Sequence, residues 1–129
     1  MSPAQKIETG SAPKAVGPYS QGISVNGFIF VSGQLPIDPQ TGQMVEREIR
    51  AQTRQALANV EAVLRAAGTD LGQVVRCEVF LKDMNDFKAM NEVYAATFAG
   101  DLKPARQAVE VARLPLDAMI EVSCIATGE

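Results

Sequence analysis

Arg106 and Glu121 are the residues best suited to chemistry, because each lies in a strand-like stretch with small or apolar neighbours. Apolar and polar residues alternate in both stretches, so a charge held there needs a partner. The planar guanidinium of Arg106 could hold a carboxylate through two parallel hydrogen bonds. The alternative is a surface arginine on an edge strand. Glu121 is either the structural partner of a cation or a general base that positions a water.

The pairing of these two strands decides whether the charges meet. If they formed a hairpin through residues 112–119, Glu110 would lie opposite Glu121. Like charges directly opposed are unfavourable. Either the strands are not neighbours, or the arginine and the glutamate meet by another route, such as a second copy of the chain.

Two glycine-containing segments and one helical pair are further candidates. Gly17-Pro18-Tyr19 and Ser32-Gly33-Gln34 lie at or near the ends of predicted strands, where glycine lets a ligand approach backbone N–H groups. Both segments are also compatible with simple turns. Phe87 and Asn91 are one helical turn apart and could reach one rim, although such a pair is more often core plus surface.

The composition restricts the available chemistry to carboxylate, guanidinium, hydroxyl and backbone groups. The 129 residues include no histidine, which removes the usual general base and excludes a serine-hydrolase mechanism. Cys77 and Cys124 form no close-spaced pair, so we predict buried, reduced thiols in a cytoplasmic protein. No Walker-type or dinucleotide motif is present. We therefore expect neither a metal nor a cofactor.

Length and charge predict one globular domain, residues 1–129, with 47% hydrophobic and 21% charged residues. The net charge of -3 argues against a nucleic-acid partner, because such proteins usually carry a basic face. No apolar run approaches the ~20 residues needed to cross a bilayer. The first ten residues lack the apolar core of a signal peptide, so we expect neither membrane insertion nor secretion.

Periodicity and turn signals predict the elements that position these residues. Asn26-Gly27 predicts a type I′ hairpin, since both residues tolerate a positive φ. Apolar stripes predict helices at residues 46–67 and 86–98, the second with Tyr94 in its core stripe. Residues 35–42 are predicted to be a connector. Strands are predicted at residues 5–8, 21–25, 28–34 and 74–82, with two more within 104–126.

Several predicted strands are apolar on both faces. Phe28 and Phe30 face one way, whereas Ile29 and Val31 face the other. Such a sheet needs cover on both sides, yet two helices in crossovers of one handedness cover a single face. The second face is therefore predicted to be buried by another subunit.

Six segments together resemble the reactive intermediate deaminase family, also called the Rid or YjgF family, over nearly the whole chain. They are GPYSQG (17–22), VSGQLPIDPQTG (31–42), QTRQALANVEAVLRAAG (52–68), VFLKDMNDFKAMNEVYAATF (79–98), PARQAVEVARLP (104–115) and IEVSCIA (120–126). The resemblance implies a chorismate-mutase-like α/β fold, in which two helices pack on one face of a mixed six-stranded sheet. It also implies a homotrimer with clefts between subunits, and a final strand inserted away from its sequence neighbour.

The activity implied by the resemblance is cofactor-free hydrolysis of 2-imino acids and their enamine tautomers to 2-oxo acids and ammonia. By the same resemblance, Arg106 binds the substrate carboxylate, Glu121 positions the attacking water, and Tyr19 belongs to the cleft. The predicted substrate-binding residues are Ser32, Gly33, Phe87, Asn91 and Ala108. Many members of the family have cysteine where this chain has Ala108, which leaves the role of that side chain open.

Two other functions are compatible with the sequence. One is a non-catalytic or chaperone-like trimer whose clefts bind a small carboxylic acid. The other is endoribonuclease activity, which has been attributed to some relatives. The acidic net charge and the absence of histidine make the second unattractive.

Overall fold

The Asn-Gly turn sets the first pairing of a six-stranded mixed sheet. The structure, a computed structural model, describes residues 3–128, so residues 1, 2 and 129 of the predicted domain lie outside the described range. Asn26 and Gly27 have φ values of 51° and 80°, as a type I′ turn requires. The turn joins β2 (Gly22–Val25) to β3 (Phe28–Gln34) in antiparallel pairing, and β1 (Gln5–Ile7) pairs antiparallel with β2.

The final strand is inserted into the middle of the sheet. The remaining strands of this sheet are β6 (Val74–Leu81), β7 (Ala105–Glu110) and β8 (Ile120–Thr127), and the order is β1-β2-β3-β8-β6-β7. β8 runs antiparallel to both β3 and β6, whereas β7 pairs in parallel with β6 at the edge. The last two strands are therefore not neighbours, so Glu110 does not oppose Glu121. The fold class and the inserted strand are both confirmed.

Two helices connect the strands close to the predicted positions. α1 (Ile49–Ala66) begins three residues later than predicted, because the Glu48 side chain caps it by accepting the backbone N–H groups of Arg50 and Ala51. These hydrogen bonds lower the pKa of Glu48. Gly68, with a φ of 86°, follows the end of α1. α2 (Phe87–Thr97) begins one residue later and ends one residue earlier than predicted.

The predicted connector at residues 35–42 is wrong in one respect, because part of it forms a second, small sheet. β4 (Ile37–Asp38) pairs with β5 (Gln43–Met44) antiparallel. The intervening turn closes through a backbone hydrogen bond from Gly42 N to Asp38 O at 2.8 Å. Two residues per strand are too few to give a periodic pattern, so the sequence could not distinguish this ribbon from a loop.

The core lies between the helices and one face of the large sheet. Fully buried members include Ile29, Val60, Leu64, Val79, Leu81, Met90, Ile120 and Val122. Cys77 on β6 pairs directly with Cys124 on β8, and both are buried free thiols, as predicted. Burial raises the pKa of both, that of Cys77 to about 11. Val and Ile alternate with polar residues along the central strands because successive side chains point to opposite faces of the sheet and only one face packs against the helices.

The opposite face of the sheet carries exposed aromatic side chains. Phe28 and Phe30 are 45% and 42% exposed, while Ile29 between them is buried against the helices. The structure thus has the two-sided apolar strands expected from the sequence, and cover by another subunit stays a prediction. Within residues 3–128, no helix combines the length and the apolar character needed to cross a bilayer.

Candidate active site

Arg106 lies on β7, on the face of the sheet that the helices cover. It pairs with the fully buried Cys77 of β6, and paired residues on adjacent strands have their side chains on the same face. The side chain is therefore directed towards α2. Ala108 follows in the same row of β7, pairs with Val79, and is partly buried against the core.

Three side chains of α2 hold the guanidinium. Arg106 Nη1 donates a hydrogen bond to Asn91 Oδ1 at 2.5 Å. The guanidinium carbon lies 5.5 Å from the ring centroid of Phe87 and 4.7 Å from that of Tyr94, within the range of cation–π attraction. Spacings of four and three residues place these side chains on one face of the helix. We call Arg106, Phe87, Asn91 and Tyr94 the Arg106 cluster.

Tyr94 is the member of the Arg106 cluster that the sequence did not single out. It was expected in the core stripe, and it is indeed buried. Among the described residues its hydroxyl finds no hydrogen-bond partner, and the Cys77 thiol nearby does not meet hydrogen-bond geometry. Burial raises the pKa of this hydroxyl. The available signal was its position three residues after Asn91, on the side of the helix that could also face β7.

Glu121 lies on the other face of the sheet. Its neighbours in β8, Ile120 and Val122, are buried against the helices, so the alternating side chain of Glu121 is directed away from them. The carboxylate is half-buried, and burial raises its pKa. Across residues 3–128, neither Glu121 nor Arg106 belongs to any of the ion pairs.

A β-bulge in β3 brings backbone against the Glu121 carboxylate. Val31 pairs with Cys124 and Gln34 with Val122, so Ser32 and Gly33 together oppose a single residue of β8. A β-carbon at position 33 would collide with Glu121 Oε2, so glycine at this position allows the carboxylate to lie where it does.

Ser32 ties the bulge to the segment that carries Tyr19. Ser32 Oγ donates to Ser20 O at 2.6 Å, and Ser32 N donates to Gln21 O at 3.0 Å. Gln21 in turn is buried and bonds the loop before it, since its Oε1 accepts from Thr9 N at 2.7 Å and its Nε2 donates to Pro13 O at 2.8 Å. The position of Tyr19 is thus set by the hydrogen bonds of its neighbours in the sequence.

Tyr19, Ser32, Gly33 and Glu121 line one cavity of about 690 Å³, which we call the Glu121 cavity. The rest of its wall is mostly apolar and comprises Pro13, Val16, Leu35, Ile37, Pro115 and Leu116, with Lys14, Gln21 and Gln34 as polar members. Tyr19 is itself half-exposed, and its hydroxyl accepts a long hydrogen bond from Val16 N at 3.4 Å. A carboxylate with a raised pKa in a mostly apolar cavity can act as a general base.

The predicted site residues therefore form two groups within one chain. Tyr19, Ser32, Gly33 and Glu121 share the Glu121 cavity, whereas Phe87, Asn91 and Arg106 share the Arg106 cluster. The two groups lie on opposite faces of the sheet. No residue of the Arg106 cluster lines the Glu121 cavity.

This arrangement defines a class of small α/β protein in which a guanidinium and a carboxylate occupy opposite faces of one mixed sheet. The sequence profile of the family described as Endoribonuclease L-PSP matches residues 9–128. The chain belongs to this family, which is also the YjgF or Rid family, so the resemblance noted from the sequence is confirmed.

Relatives and solved structures agree on this family. The chain is 56% identical over 123 residues to a RutC family protein of Pyrococcus horikoshii, covering 95% of this chain and 97% of the relative. It is 46% identical over 125 residues to an Escherichia coli K12 protein named 2-iminobutanoate/2-iminopropanoate deaminase, covering 95% and 97%. The crystal structure of a Rid family protein from Yersinia pestis matches with a TM-score of 0.96 at 45% identity, covering 98% of this chain and 100% of the other.

Proposed function

We propose that the protein is a cofactor-free 2-iminobutanoate/2-iminopropanoate deaminase, which hydrolyses 2-imino acids and their enamine tautomers to 2-oxo acids and ammonia. The observation that carries this proposal is the pair of opposite charges, Arg106 and Glu121, that lack ionic partners within residues 3–128. A 2-imino acid offers a carboxylate to the first and an electrophilic carbon to water beside the second. The name of the Escherichia coli relative supports the same reaction.

In the proposed mechanism Arg106 binds and orients the substrate. A guanidinium has five N–H donors, and Asn91 takes one of them, so a two-pronged contact with a carboxylate remains available. Phe87 and Tyr94 hold the guanidinium by their ring faces without offering it an anion. The site therefore binds the acid end of the substrate with a cation that needs little reorganisation.

Glu121 then acts on water. As the water oxygen bonds to the C=N carbon, the carboxylate takes a proton from it, and the electron pair of the C=N bond passes to nitrogen. With the imine nitrogen protonated at the outset, this step gives a neutral carbinolamine. Its nitrogen then takes the proton from Glu121, and its hydroxyl proton passes to the carboxylate as the C–N bond breaks and the C=O bond forms, which releases ammonia and the 2-oxo acid. Burial raises the pKa of Glu121, which makes its ionised form a stronger base. Imines hydrolyse readily in water, so acid–base help worth roughly 10² to 10⁴ is sufficient.

The two halves of this site are proposed to meet between subunits. A three-carbon imino acid is too short to contact both faces of one sheet, so the Arg106 cluster of one subunit would close the Glu121 cavity of the next. A homotrimer, as the resemblance implied, would also cover the exposed rings of Phe28 and Phe30. We place this assembly in the cytoplasm, where Cys77 and Cys124 would stay reduced.

The experiment that tests the proposal compares Arg106→Lys with Arg65→Lys, a surface arginine paired with Glu61. Imines are generated in situ by an amino-acid oxidase, and their hydrolysis is followed by the loss of imine that semicarbazide can trap. A lysine cannot form two parallel hydrogen bonds to a carboxylate, so Arg106→Lys is expected to lower kcat/KM about 100-fold. Arg65→Lys is expected to keep the wild-type kcat/KM. A wild-type rate in Arg106→Lys contradicts the role of Arg106.

Mixing two inactive variants tests the subunit arrangement in the same assay. Arg106→Lys and Glu121→Gln chains are co-refolded, so that some clefts combine an intact Arg106 cluster with an intact Glu121 cavity. Random assembly predicts that about one quarter of the clefts, and of the wild-type activity, is restored. A mixture no more active than its components would place both groups within one chain.

RNA cleavage is the competing activity, because the matching family carries the description Endoribonuclease L-PSP. The net charge of -3 and the absence of histidine favour the deaminase. RNA cleavage by highly purified protein that persists in Arg106→Lys would support the alternative, provided that the same preparation fails to hydrolyse imines.

A further inference from the structure

Leu116, which lines the Glu121 cavity, has an unfavourable backbone conformation for a residue other than glycine. Leu116 has a φ of 58° and a ψ of 24°, and Asp117 after it has a φ of 56°. The left-handed region is costly for residues with a β-carbon and is uncommon for leucine. Such conformations persist where the surrounding structure imposes them, and they cluster at functional sites.

The surrounding contacts explain how this conformation is imposed. Arg47 Nη1 donates to Asp117 O at 2.6 Å, and Met119 N donates to Gln52 Oε1 at 2.9 Å. Ala118 between these contacts is fully buried. The turn is thus anchored to the rest of the chain immediately after Leu116.

The strained turn does not bury the side chain of Leu116. Leu116 is 71% exposed, and it lines the Glu121 cavity together with Val16, which is 82% exposed. Within one chain, burial of the apolar surface of Leu116 therefore does not offset the strain. A contact with something that enters the cavity would do so.

The size of the cavity indicates what that contact is. A three-carbon imino acid needs on the order of 200 Å³, taking about 30 Å³ for each non-hydrogen atom. The cavity measures about 690 Å³, and apolar side chains predominate beside its one carboxylate. The cavity of a single chain therefore offers several times the volume of the smallest substrate, and most of its wall is apolar.

We propose that Leu116 is a specificity-determining residue, which together with Val16 contacts the side chain of the substrate. The substrates that fit best are then 2-imino acids with branched or aromatic apolar side chains, such as those formed from leucine and phenylalanine. This inference rests on the proposed function for its reaction, and on the Glu121 cavity alone for its binding preference.

The test compares Leu116→Ser with Leu116→Met, which keeps the apolar volume, and with Leu102→Ser, since Leu102 is 92% exposed and lies outside the cavity. Imines are generated from leucine and from alanine, and kcat/KM is measured for each. Leu116→Ser is expected to lower the leucine-to-alanine ratio about 10-fold, as for other apolar contacts in specificity pockets. The other two variants should keep the wild-type ratio.

Calorimetry with 4-methyl-2-oxopentanoate and with pyruvate gives a second readout that needs no turnover. A wild-type preference for the larger acid that is lost in Leu116→Ser supports the inference even if no imine is hydrolysed, in which case the deaminase proposal alone fails. Equal losses on both substrates, a change of oligomeric mass in Leu116→Ser, or a wild type that shows no preference for the larger acid overturns the inference. In the last case, turnover of the alanine-derived imine would leave the deaminase proposal intact.

Discussion

The Arg106 cluster and the Glu121 cavity carry opposite charges and are built in different ways. Arg106 is held by a hydrogen bond and two aromatic ring faces, all from α2. Glu121 is held against the backbone of a β-bulge, and burial alone shifts its pKa. Attractive contacts therefore fix the position of Arg106, which is proposed to bind the substrate. Glu121, which is proposed to react, has few polar partners. If this contrast reflects function, changes to the two regions should have different kinetic and pH signatures.

The largest effect is expected from Glu121→Gln, which removes the reactive charge and keeps the shape. We expect kcat to fall by roughly 10² to 10⁴ with a small change in KM, because acid–base help is lost and Arg106 still binds the carboxylate. Wild-type kcat should decline as the pH falls through a pKa above the ordinary carboxyl value of 4.5, and the variant should lack this decline. Glu61→Gln, on the surface of α1, is the matched control.

Thermal unfolding of Glu121→Gln tests the raised pKa of Glu121 independently of catalysis. Because the pKa of Glu121 is higher in the folded than in the unfolded chain, its stabilising contribution is fully present below about pH 4.5 and is lost as the pH rises through the folded-state pKa. Glu121→Gln should therefore melt at a higher temperature than wild type near pH 7, with the difference shrinking towards pH 4. Parallel melting curves across this range would leave the carboxylate indistinguishable from an exposed one.

The next effect is expected from Gly33→Ala, which tests whether the close approach of backbone positions Glu121. Its β-carbon would displace the carboxylate, and a displacement of about 1 Å can cost about 100-fold in rate. Gly10→Ala is the control, since a β-carbon there meets nothing within 4 Å. Near-normal kcat in Gly33→Ala would mean that Glu121 works equally well from another position, and that the close approach of the backbone has no role in catalysis.

The smallest effect is expected at Tyr94, where ring and hydroxyl can be separated. Tyr94→Phe keeps the ring face under Arg106 and removes a buried hydroxyl without a partner among the described residues. We expect unchanged kcat/KM and a gain of about 1 kcal/mol in the free energy of unfolding. Tyr94→Leu should raise KM about 5-fold through the loss of about 1 kcal/mol of cation–π attraction.

Phe98→Leu controls for core damage near Tyr94, because Phe98 is buried and packs on Tyr94 with ring centroids 4.7 Å apart. If Phe98→Leu raises KM as much as Tyr94→Leu does, the effect belongs to packing in general. A loss of activity in Tyr94→Phe would instead assign a role to the hydroxyl.

Local patterns in the sequence were sufficient for most elements of the fold. The Asn26-Gly27 turn, the stripe of α1 and the alternation in β6 each depend on residues close together in the chain, where periodicity is informative. The position of β8 between β3 and β6 depends on contacts between distant segments, and the family resemblance implied only that the final strand lies away from its sequence neighbour. The pattern of residues within the two strands left open whether β7 and β8 are neighbours.

The sequence identified individual candidate residues, whereas their arrangement in space depends on the fold. Alternation shows that Arg106 and Glu121 each lie on the opposite side of their strand from a row of apolar residues. Which face of the sheet each side corresponds to depends on the order of the strands. The bulge at Ser32 and Gly33 and the left-handed turn at Leu116 depend on contacts with distant segments, which no local pattern in the sequence shows. Tyr94 gave the same signal as a core residue, because its ring is both buried and adjacent to a charge.

The two neighbouring thiols of β6 and β8 are a built-in probe of how often the core of the protein opens. Cys77 and Cys124 are the only cysteines in the sequence, both are buried in the middle of the sheet, and burial raises the pKa of each. Both lie on the face of the sheet that the helices cover, so a thiol-labelling reagent can reach them only when this core opens, because modification requires an accessible thiolate. The rate of labelling under native conditions therefore reports how often the core between the helices and the sheet opens, without any introduced probe.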